Sequence, residues 1–342
     1  MIGVGLIGYG YWGPNLARCL GEHEDCRLVG VHDRDGAARA RALARHAGIR
    51  DYASAEDLLA DRAIGAVAIA TPVHTHQALA LAALRAGKHV LIEKPLADSV
   101  PDAARLVAEA ERLGRTLMVD HTFVFTPAVR KIGELVASGE IGAVQYYDSI
   151  RVNLGLFQPD VSVVWDLAVH DLAILSYILP ERPATITAQA ARHLPGRPES
   201  MAFVTLGYPS GAVAHINVNW LAPVKVRQTL IGGSRRMIVY NDLEPSEKLK
   251  VYDRGAHLVA DREQRDQLRV GYRTGDMWAP QLATTEALKS AIGHFVDCIA
   301  TGDPPVTGGA VGLEIVELLA AATASIRQGG RPIELERRRL AS

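Results

Sequence analysis

The sequence predicts an α/β fold in two domains: a doubly wound parallel sheet at the N-terminus, then an α+β domain with a large, mostly antiparallel open sheet. Three observations support this. The chain opens with a strand, a glycine-rich turn and a helix. Strand and helix patterns then alternate over the first third, and after residue 143 most strand patterns follow one another directly. We place the boundary after residue 120, which gives domains 1–120 and 121–342.

The first turn carries the most informative motif. An apolar run from Ile2 to Ile7 meets Gly8-Tyr9-Gly10-Tyr11-Trp12-Gly13 and then an Ala- and Leu-rich helical pattern. In such a turn Gly8 permits the tight bend, Gly10 lets the backbone approach a pyrophosphate, and Gly13 allows the helix to contact the strand. The helix N-terminus then presents N–H groups to the phosphates. We therefore predict that the whole turn binds a dinucleotide, although any tight strand-to-helix turn favours glycine.

The end of the second strand pattern indicates which dinucleotide is bound. The run Arg27–His32 ends at Asp33, which lies 20 residues past Gly13. A carboxylate there can accept both ribose hydroxyls of NAD and would repel a 2′-phosphate. Arg34 follows directly and could pair with such a phosphate instead. NAD is the predicted cofactor, and NADP is the alternative.

Strand and helix patterns alternate through the rest of the first domain. Predicted strands lie at Arg27–His32, Ala63–Ala70, His89–Ile92 and Thr116–Val119. Predicted helices begin at Pro14, Ala37 and His76, and one spans Val100–Leu113. Such alternation indicates parallel strands joined by crossover helices, and hence a doubly wound sheet.

The second domain shows a different pattern. Its predicted strands are Val144–Val152, Thr185–Ala191, Met201–Tyr208, Gly211–Trp220, Lys225–Ile231, Arg236–Tyr240 and Lys248–Tyr252. Pro209-Ser210-Gly211 predicts a hairpin turn, so the sheet is expected to be largely antiparallel. The polar segment Glu263–Gln281 predicts a long loop. The helices expected to cover one sheet face are Lys131–Ser138, Trp165–Leu179, Thr285–Thr301 and Ala310–Gln328.

Composition argues against several classes of partner. The formal net charge of −1 at pH 7 argues against a nucleic-acid surface. We expect no membrane segment, because apolar stretches such as Leu313–Ile326 are too short or too interrupted by polar residues. The chain begins without a basic leader and its three cysteines show no Cys-x-x-Cys spacing, so a cytoplasmic location is expected. His74 and His76 lack further ligands nearby, so we expect no metal.

Glu93-Lys94-Pro95 ends a predicted strand at the carboxyl edge of the parallel sheet, where ligands of such sheets bind. A lysine there can donate to a substrate hydroxyl, and its charge stabilises the alkoxide that develops as a hydride leaves the same carbon. The alternative is an ordinary surface lysine before a turn proline. The position alone does not separate the two interpretations.

Asp166 and His170 lie four residues apart in a segment of helical periodicity, so their side chains are expected to share one face. A carboxylate one turn from an imidazole can orient the ring and raise its basicity. Such a pair suits proton transfer, and it also fits an ordinary hydrogen bond on a helix surface.

Taken in order, these features resemble the glucose-fructose oxidoreductase and inositol dehydrogenase (Gfo/Idh/MocA) family over nearly the whole chain. The segments that carry the resemblance are Gly8–Asn15, Ala70–His76, Ala86–Val90, Glu93–Pro95, and Asp166 with His170. The resemblance implies an NAD(P)-binding Rossmann domain followed by a substrate-binding and oligomerisation domain. Many members have glycine where this chain has Ala168, and a methyl group there should fit.

The resemblance also implies roles for single residues. Thr71, Pro72 and His76 would line the nicotinamide half of the cofactor site, and Glu93 would contact the nicotinamide ribose region. Lys94 would bind the reacting hydroxyl, and the bond before Pro95 would be cis. Asp166 would support His170, which would be the acid or base.

The implied activity is hydride transfer between nicotinamide and a ring secondary alcohol, at C3, of a sugar. Gly13-Pro14-Asn15 and the segment 153–158 are similar to the branch that acts on nucleotide-linked or amino sugars. The alternatives are a deoxysugar ketoreductase of antibiotic biosynthesis, a cyclitol dehydrogenase, and a non-enzymatic NAD or sugar sensor.

The family pairs its open sheets, so a homodimer or homotetramer is expected. The residues predicted to contact substrate are Lys94, Arg151, Asn153, Gln158, Trp165, Asp166, His170, Tyr272 and Arg273.

Overall fold

A computed structural model describes residues 1–155, 161–259 and 269–335, apart from the side chains of 256–259 and 269–272. The chain forms two compact units. The first contains Met1–Thr126 and Thr284–Ala320, and the second contains Pro127–Ala283 and Ala321–Ser342. The predicted domains 1–120 and 121–342 differ from these units chiefly because residues 284–320 pack with the first unit.

The first unit contains a six-stranded parallel sheet of order β3-β2-β1-β4-β5-β6. Its strands are β1 Ile2–Ile7, β2 Cys26–His32, β3 Arg50–Asp51, β4 Ala66–Ile69, β5 His89–Glu93 and β6 Leu117–Asp120. Its helices up to residue 113 are α1 Gly13–Glu22, α2 Gly36–Arg45, α3 Ala55–Ala60, α4 His76–Arg85 and α5 Val100–Leu113. The strand order reverses between β1 and β4. In doubly wound sheets, ligands bind beside the carboxyl ends of the strands at such a reversal. The predicted N-terminal fold is confirmed.

Local sequence explains why α5 begins and ends where the pattern predicts. Ser99 accepts a hydrogen bond from the backbone N–H of Asp102 at 3.3 Å and so caps the first turn. Pro101 lies in that turn, where its missing N–H is not needed. Gly114 ends the helix in a left-handed conformation with φ of 59°.

The second unit contains a nine-stranded sheet of order β16-β13-β12-β11-β7-β10-β9-β8-β17. Neighbouring strands are antiparallel except β7 and β10, which are parallel. The strands are β7 Val144–Leu154, β8 Thr185–Ala191, β9 Met201–Gly207, β10 Val213–Asn219, β11 Leu221–Gly233, β12 Met237–Asn241, β13 Leu249–Tyr252, β16 Met277–Trp278 and β17 Ile333–Glu334. The predicted open, mostly antiparallel sheet is confirmed.

One face of this sheet is the core of the second unit. Along β10, Ala214, Ile216 and Val218 are fully buried and alternate with more exposed residues. A π-helical turn, Val164–Ala168, packs on β10 and continues into α7, Val169–Ile178. Helix α6, Pro127–Ala137, packs in turn on α7.

The prediction of a long loop over Glu263–Gln281 is wrong for part of that segment, which forms two strands. Strand β15, Arg269–Arg273, pairs with β14, Gly255–Val259, and β16 joins the edge of the large sheet. Residues 260–268 lie outside the described part of the chain. Polar composition misled the prediction because edge strands and hairpins carry charged residues on their solvent faces.

Two helices predicted to cover the second sheet start in the other unit. Helix α8, Ala287–Thr301, packs on α1 and on the 3₁₀ turn Thr122–Phe125. Helix α9, Gly309–Arg327, lies close to β6, because a Cβ added at Gly312 would be 2.6 Å from Val119 Cγ2. Amphipathic patterns show that a helix has a buried face, but they do not show what buries it.

Helix α9 is, by length and composition alone, the one helix among the described residues that could cross a membrane. The expectation that no apolar stretch would be long enough is therefore wrong for this helix. Half of its most apolar window is buried inside the protein. Its buried residues include Leu313, Ile315, Val316 and Leu319, so packing in a protein core accounts for its composition.

Candidate functional site

The three glycines of the first turn have the geometry that a dinucleotide cradle requires. Gly8 has φ of 99°, and a Cβ there would lie 2.5 Å from the Ala70 carbonyl oxygen. A Cβ on Gly13 would lie 2.3 Å from the Gly8 carbonyl oxygen, so only glycine permits this contact between turn and helix. At Gly10 a Cβ would meet no described atom within 4 Å, which leaves open space beside the backbone. A pyrophosphate fits this arrangement.

The N-terminus of α1 is suited to an anion. Among the described residues no side chain caps this end, and its first turn contains no acidic residue. Pro14 has no N–H, and the N–H groups of Asn15 and Leu16 donate to the Trp12 carbonyl oxygen at 2.9 and 3.4 Å, so Gly13 provides the N–H of this turn that an anion could use. The helix dipole also favours negative charge at this end.

A cavity of about 430 Å³ in the first unit extends from the glycine turn to the end of β2. Asp33 lines it, and its carboxylate accepts the backbone N–H of Tyr9 at 2.6 Å and that of Asp35 at 2.8 Å. These bonds fix the carboxylate and leave lone pairs for ribose hydroxyls. The lining also includes Gly8, Gly10, Arg34, Thr71 and Pro72.

The aromatic residues of the turn differ in position. The Tyr9 side chain is buried and its hydroxyl lies 3.2 Å from His46 Nε2, so Tyr9 faces this site through its backbone. The Tyr11 side chain is 84% exposed. Trp12 donates from Nε1 to Asp120 Oδ2 at 3.3 Å, which connects the turn to the end of β6.

His76 holds two loops together. Its Nδ1 lies 2.9 Å from the Pro95 carbonyl oxygen and its Nε2 lies 2.8 Å from the Thr71 carbonyl oxygen. The side chain is 1% exposed, and burial lowers the pKa of the imidazole. His76 therefore connects the two loops that carry Thr71 and Pro95, and its place in the lining of the nicotinamide half of the cofactor site stays a prediction. The Lys94–Pro95 bond is cis, as the resemblance implies.

Lys94 is accompanied by two carboxyl groups at the carboxyl edge of the sheet. Glu93 at the end of β5 is in register with Asp120 at the end of β6, so the two side chains lie side by side at this edge. Burial and the nearby Asp120 raise the pKa of Glu93 well above its usual value, and burial raises that of Asp120. The charge of Lys94 acts in the opposite direction on both.

The sequence interpretation missed Asp120 and its neighbour His121. His121 is 1% exposed, and neither ring nitrogen has a partner among the described residues. Burial, followed by the charge of Lys94, lowers its pKa to about 3, so the ring is neutral. Three polar residues, Asp120-His121-Thr122, directly after a buried strand could have indicated this position.

In the second unit, Asp166 lies in the π-helical turn and His170 in the first turn of α7. Asp166 Oδ2 accepts the indole N–H of Trp220 at 3.2 Å, which holds the carboxylate in place. Both Asp166 and His170 are half-buried, so a substrate could reach them. Trp165 donates from Nε1 to Thr323 Oγ1 at 3.0 Å, so its polar edge is already bound within this unit.

Arg151 does not have the position predicted for a substrate ligand. It is 5% exposed, and its Nε donates to Asp171 Oδ2 at 2.7 Å. Asp171 also accepts the hydroxyls of Tyr147 at 2.9 Å and Ser149 at 2.7 Å. These four residues form a buried cluster between β7 and α7, because alternate residues of β7 face the helix. Arg151 is therefore corrected to a scaffold residue.

The other predicted substrate contacts remain predictions. Asn153 is half-buried on β7, and Arg273 forms an ion pair with Asp253 at 2.8 Å. Gln158 and the side chain of Tyr272 lie outside the described residues. No group of three or more His, Cys, Asp or Glu side chains in the described part of the chain could hold a metal.

Comparisons with known proteins agree with this geometry. Residues 2–121 match the Gfo/Idh/MocA model described as an oxidoreductase family with an NAD-binding Rossmann fold, and residues 129–239 match the C-terminal domain model of the same family. An uncharacterized oxidoreductase of Escherichia coli is 32% identical over 72% of this chain and 73% of its own. The chain belongs to the Gfo/Idh/MocA oxidoreductase family.

Two further comparisons within the Gfo/Idh/MocA family cover almost the entire chain. A UDP-N-acetylglucosamine 3-dehydrogenase of Acidithiobacillus ferrooxidans is 29% identical over 93% of this chain and 94% of its own. A solved structure of a UDP-N-acetylglucosamine 3-dehydrogenase from the same organism has a TM-score of 0.80, with 26% identity, and covers 96% of this chain and 99% of its own. By the match to the family model, residues 2–121 are an NAD(P)-binding Rossmann domain.

Proposed function

We propose that the protein oxidises a ring secondary alcohol of a sugar, at C3 of an amino or nucleotide-linked sugar, with NAD as hydride acceptor. The observation that carries this proposal is the position of Lys94 at the carboxyl edge of the same parallel sheet whose glycine turn forms the cradle. The likeness to UDP-N-acetylglucosamine 3-dehydrogenases supports the substrate class.

The chain's own residues would handle the proton and the developing charge. Lys94 donates a hydrogen bond to the substrate hydroxyl and stabilises the alkoxide as it forms. His170 takes the hydroxyl proton, and Asp166, held by Trp220, orients His170. The bound nicotinamide supplies the hydride acceptor at C4. The reverse reaction, reduction of a ketosugar, uses the same residues, with His170 as the acid.

Asp33 supports NAD over NADP. Its carboxylate is fixed at the cavity by two backbone N–H groups and would repel a 2′-phosphate. Arg34 also lines the cavity and is exposed, so it is the residue through which NADP could be accepted. Fluorescence titration of both cofactors with wild type and Asp33→Asn tests this choice. We expect the variant to lose affinity for NAD and to discriminate less against NADP.

A panel assay tests the activity itself. Wild-type protein is incubated with NAD and with free hexoses, amino sugars, UDP-linked sugars or cyclitols, while nicotinamide absorbance is followed. We expect reduction with at least one amino or nucleotide-linked sugar, and a His170→Ala variant that binds NAD but turns over about a hundredfold to ten-thousandfold more slowly. Cofactor binding without turnover on any substrate would instead indicate a sensor.

We also propose that the protein is a homodimer or a dimer of dimers that pairs the outer faces of the large sheet. Large apolar side chains are exposed on one face of β7, β9 and β10: Tyr146, Ile150, Phe203 and Val213. Polar residues of the same face, Asp148, His215, Asn217 and Thr205, lie between them, and apolar side chains exposed within a polar surrounding occur at interfaces. Sedimentation analysis should show a dimer or tetramer that Phe203→Arg weakens.

A further inference from the structure

The carboxyl pair beside Lys94 has a feature that the proposed function does not use. The register of β5 and β6 places Glu93 next to Asp120, with both side chains on the same face at the carboxyl edge of the sheet. Two neighbouring carboxylates repel each other when both are ionised, which favours a proton on one of them. A protonated carboxyl group can donate a hydrogen bond to its ionised neighbour, whereas two carboxylates have no donor between them.

The other hydrogen bonds indicate which carboxyl group carries that proton. Asp120 accepts Trp12 Nε1 at 3.3 Å and Thr122 Oγ1 at 2.8 Å. A carboxylate that accepts several donors is stabilised in its ionised form. Glu93 Oε2 accepts the backbone N–H of Lys94 at 3.2 Å, and burial and the neighbouring Asp120 raise the pKa of Glu93. This pattern favours Glu93 as the group that carries the proton and donates to the Asp120 carboxylate.

We propose that Asp120 is a positioning residue that keeps Glu93 protonated through this hydrogen bond, so that the Lys94 ammonium faces one negative charge instead of two. This inference rests on the proposed role of Lys94 toward a substrate hydroxyl. The positive charge of Lys94 lowers the pKa of both carboxyl groups. The other neighbours carry no charge: Trp12 and Thr122 are neutral hydrogen-bond donors, and the His121 ring is neutral. A second ionised carboxylate would compete with the substrate for the ammonium.

Infrared difference spectroscopy of the full-length, cofactor-free protein at neutral pH tests the shared proton directly. A protonated carboxyl group gives a C=O band that is separate from carboxylate bands and shifts in heavy water. We expect this band in wild type and its loss in Glu93→Gln. We also expect its loss in Asp120→Asn, because the amide then donates to Glu93 and Glu93 ionises. The matched control Thr122→Val removes a hydrogen bond to Asp120 but no proton, and should keep the band.

A wild-type protein without the band, or a band that survives Asp120→Asn, overturns the proposal. If Asp120→Asn does not fold, as judged by circular dichroism, the comparison of wild type with Glu93→Gln still decides whether Glu93 is protonated. Neither result depends on turnover, so failure of the proposed sugar oxidation is seen separately in the panel assay.

The pH dependence of turnover tests the positioning role. In wild type we expect kcat to fall on the alkaline side as Glu93 loses its proton and the second negative charge forms. In Glu93→Gln that alkaline step should be absent, with KM for substrate changed less than kcat. An alkaline step that is identical in wild type and Glu93→Gln contradicts the role, because a purely structural defect would lower kcat at every pH.

Discussion

Each unit of this protein contains a buried cluster built around an aspartate, and the two clusters differ in how their charges are matched. In the second unit, Asp171 is 1% exposed and receives an ion pair from Arg151 and hydrogen bonds from two hydroxyls. In the first unit, Asp120 is 2% exposed and lies beside a second carboxyl group, Glu93, which precedes Lys94 in the chain.

This difference in charge matching distinguishes a structural cluster, around Asp171, from a candidate reactive site, around Asp120. The Asp171 cluster is neutral overall and lies between a strand and a helix, where it orients the two elements. The Glu93–Asp120 pair lies at the carboxyl edge of a parallel sheet, where ligands bind, and shifts in pKa are typical of functional sites. Burial of a charge is therefore a poor indicator of function on its own, whereas two carboxyl groups placed side by side at a ligand-binding edge are a better one.

The largest expected effect is on stability, at the second-unit cluster. Asp171→Ala leaves the Arg151 guanidinium buried without its partner, which should cost about 3–5 kcal/mol of unfolding free energy. The matched control is Asp51→Ala, which breaks the more exposed ion pair with Arg39 and should cost about 1 kcal/mol or less. Urea denaturation measures both. Equal losses would show that burial does not distinguish these two ion pairs.

The next effect is on catalysis, at the first-unit site. Lys94→Met removes the donor to the developing alkoxide and should lower kcat about 10²–10³-fold. NAD affinity and unfolding free energy should change little. Steady-state kinetics with the substrate found in the panel, together with cofactor titration, measures the effect. A variant that keeps wild-type kcat would remove Lys94 from the proposed chemistry.

The sequence predicted most of the first unit because its evidence is local. Ser99, Gly114 and the glycine turn each determine backbone geometry at their own position, so α5 and the first crossover were predicted correctly. Arg151 was misassigned because a buried ion pair depends on a partner 20 positions later, on another element. Asp120 was missed because its place in the candidate site depends on the strand register that puts it beside Glu93, and the sequence does not show that register.

A third prediction compares two glycines of the same turn. Gly10→Ala places a methyl group in open space where a pyrophosphate would approach, so NAD affinity should fall about tenfold, equivalent to about 1.4 kcal/mol, with stability unchanged. Gly13→Ala forces a Cβ against the Gly8 carbonyl oxygen and should cost about 1–3 kcal/mol of unfolding free energy. Cofactor titration and urea denaturation should separate the two. The interpretation of the cradle fails if Gly10→Ala binds NAD normally.

The smallest effect is a pH dependence from His121. Its pKa is about 3 in the folded protein against a usual value of 6.5, so the unfolded chain binds more protons between these two values. The histidine's contribution to stability is therefore fully present above pH 6.5 and is lost as the pH falls toward 3. Wild type should lose stability over this range more steeply than His121→Phe. Parallel slopes in urea denaturation would show that His121 titrates normally.

The most direct test of the central claim follows a single hydrogen atom. A substrate identified in the panel is prepared with deuterium at the reacting ring carbon and is incubated with NAD and either wild type or Lys94→Met. The account predicts that wild type transfers deuterium to C4 of the nicotinamide, and that the folded Lys94→Met protein does so about 10²–10³-fold more slowly. Reduced cofactor without deuterium, or equal rates for the two proteins, would contradict it.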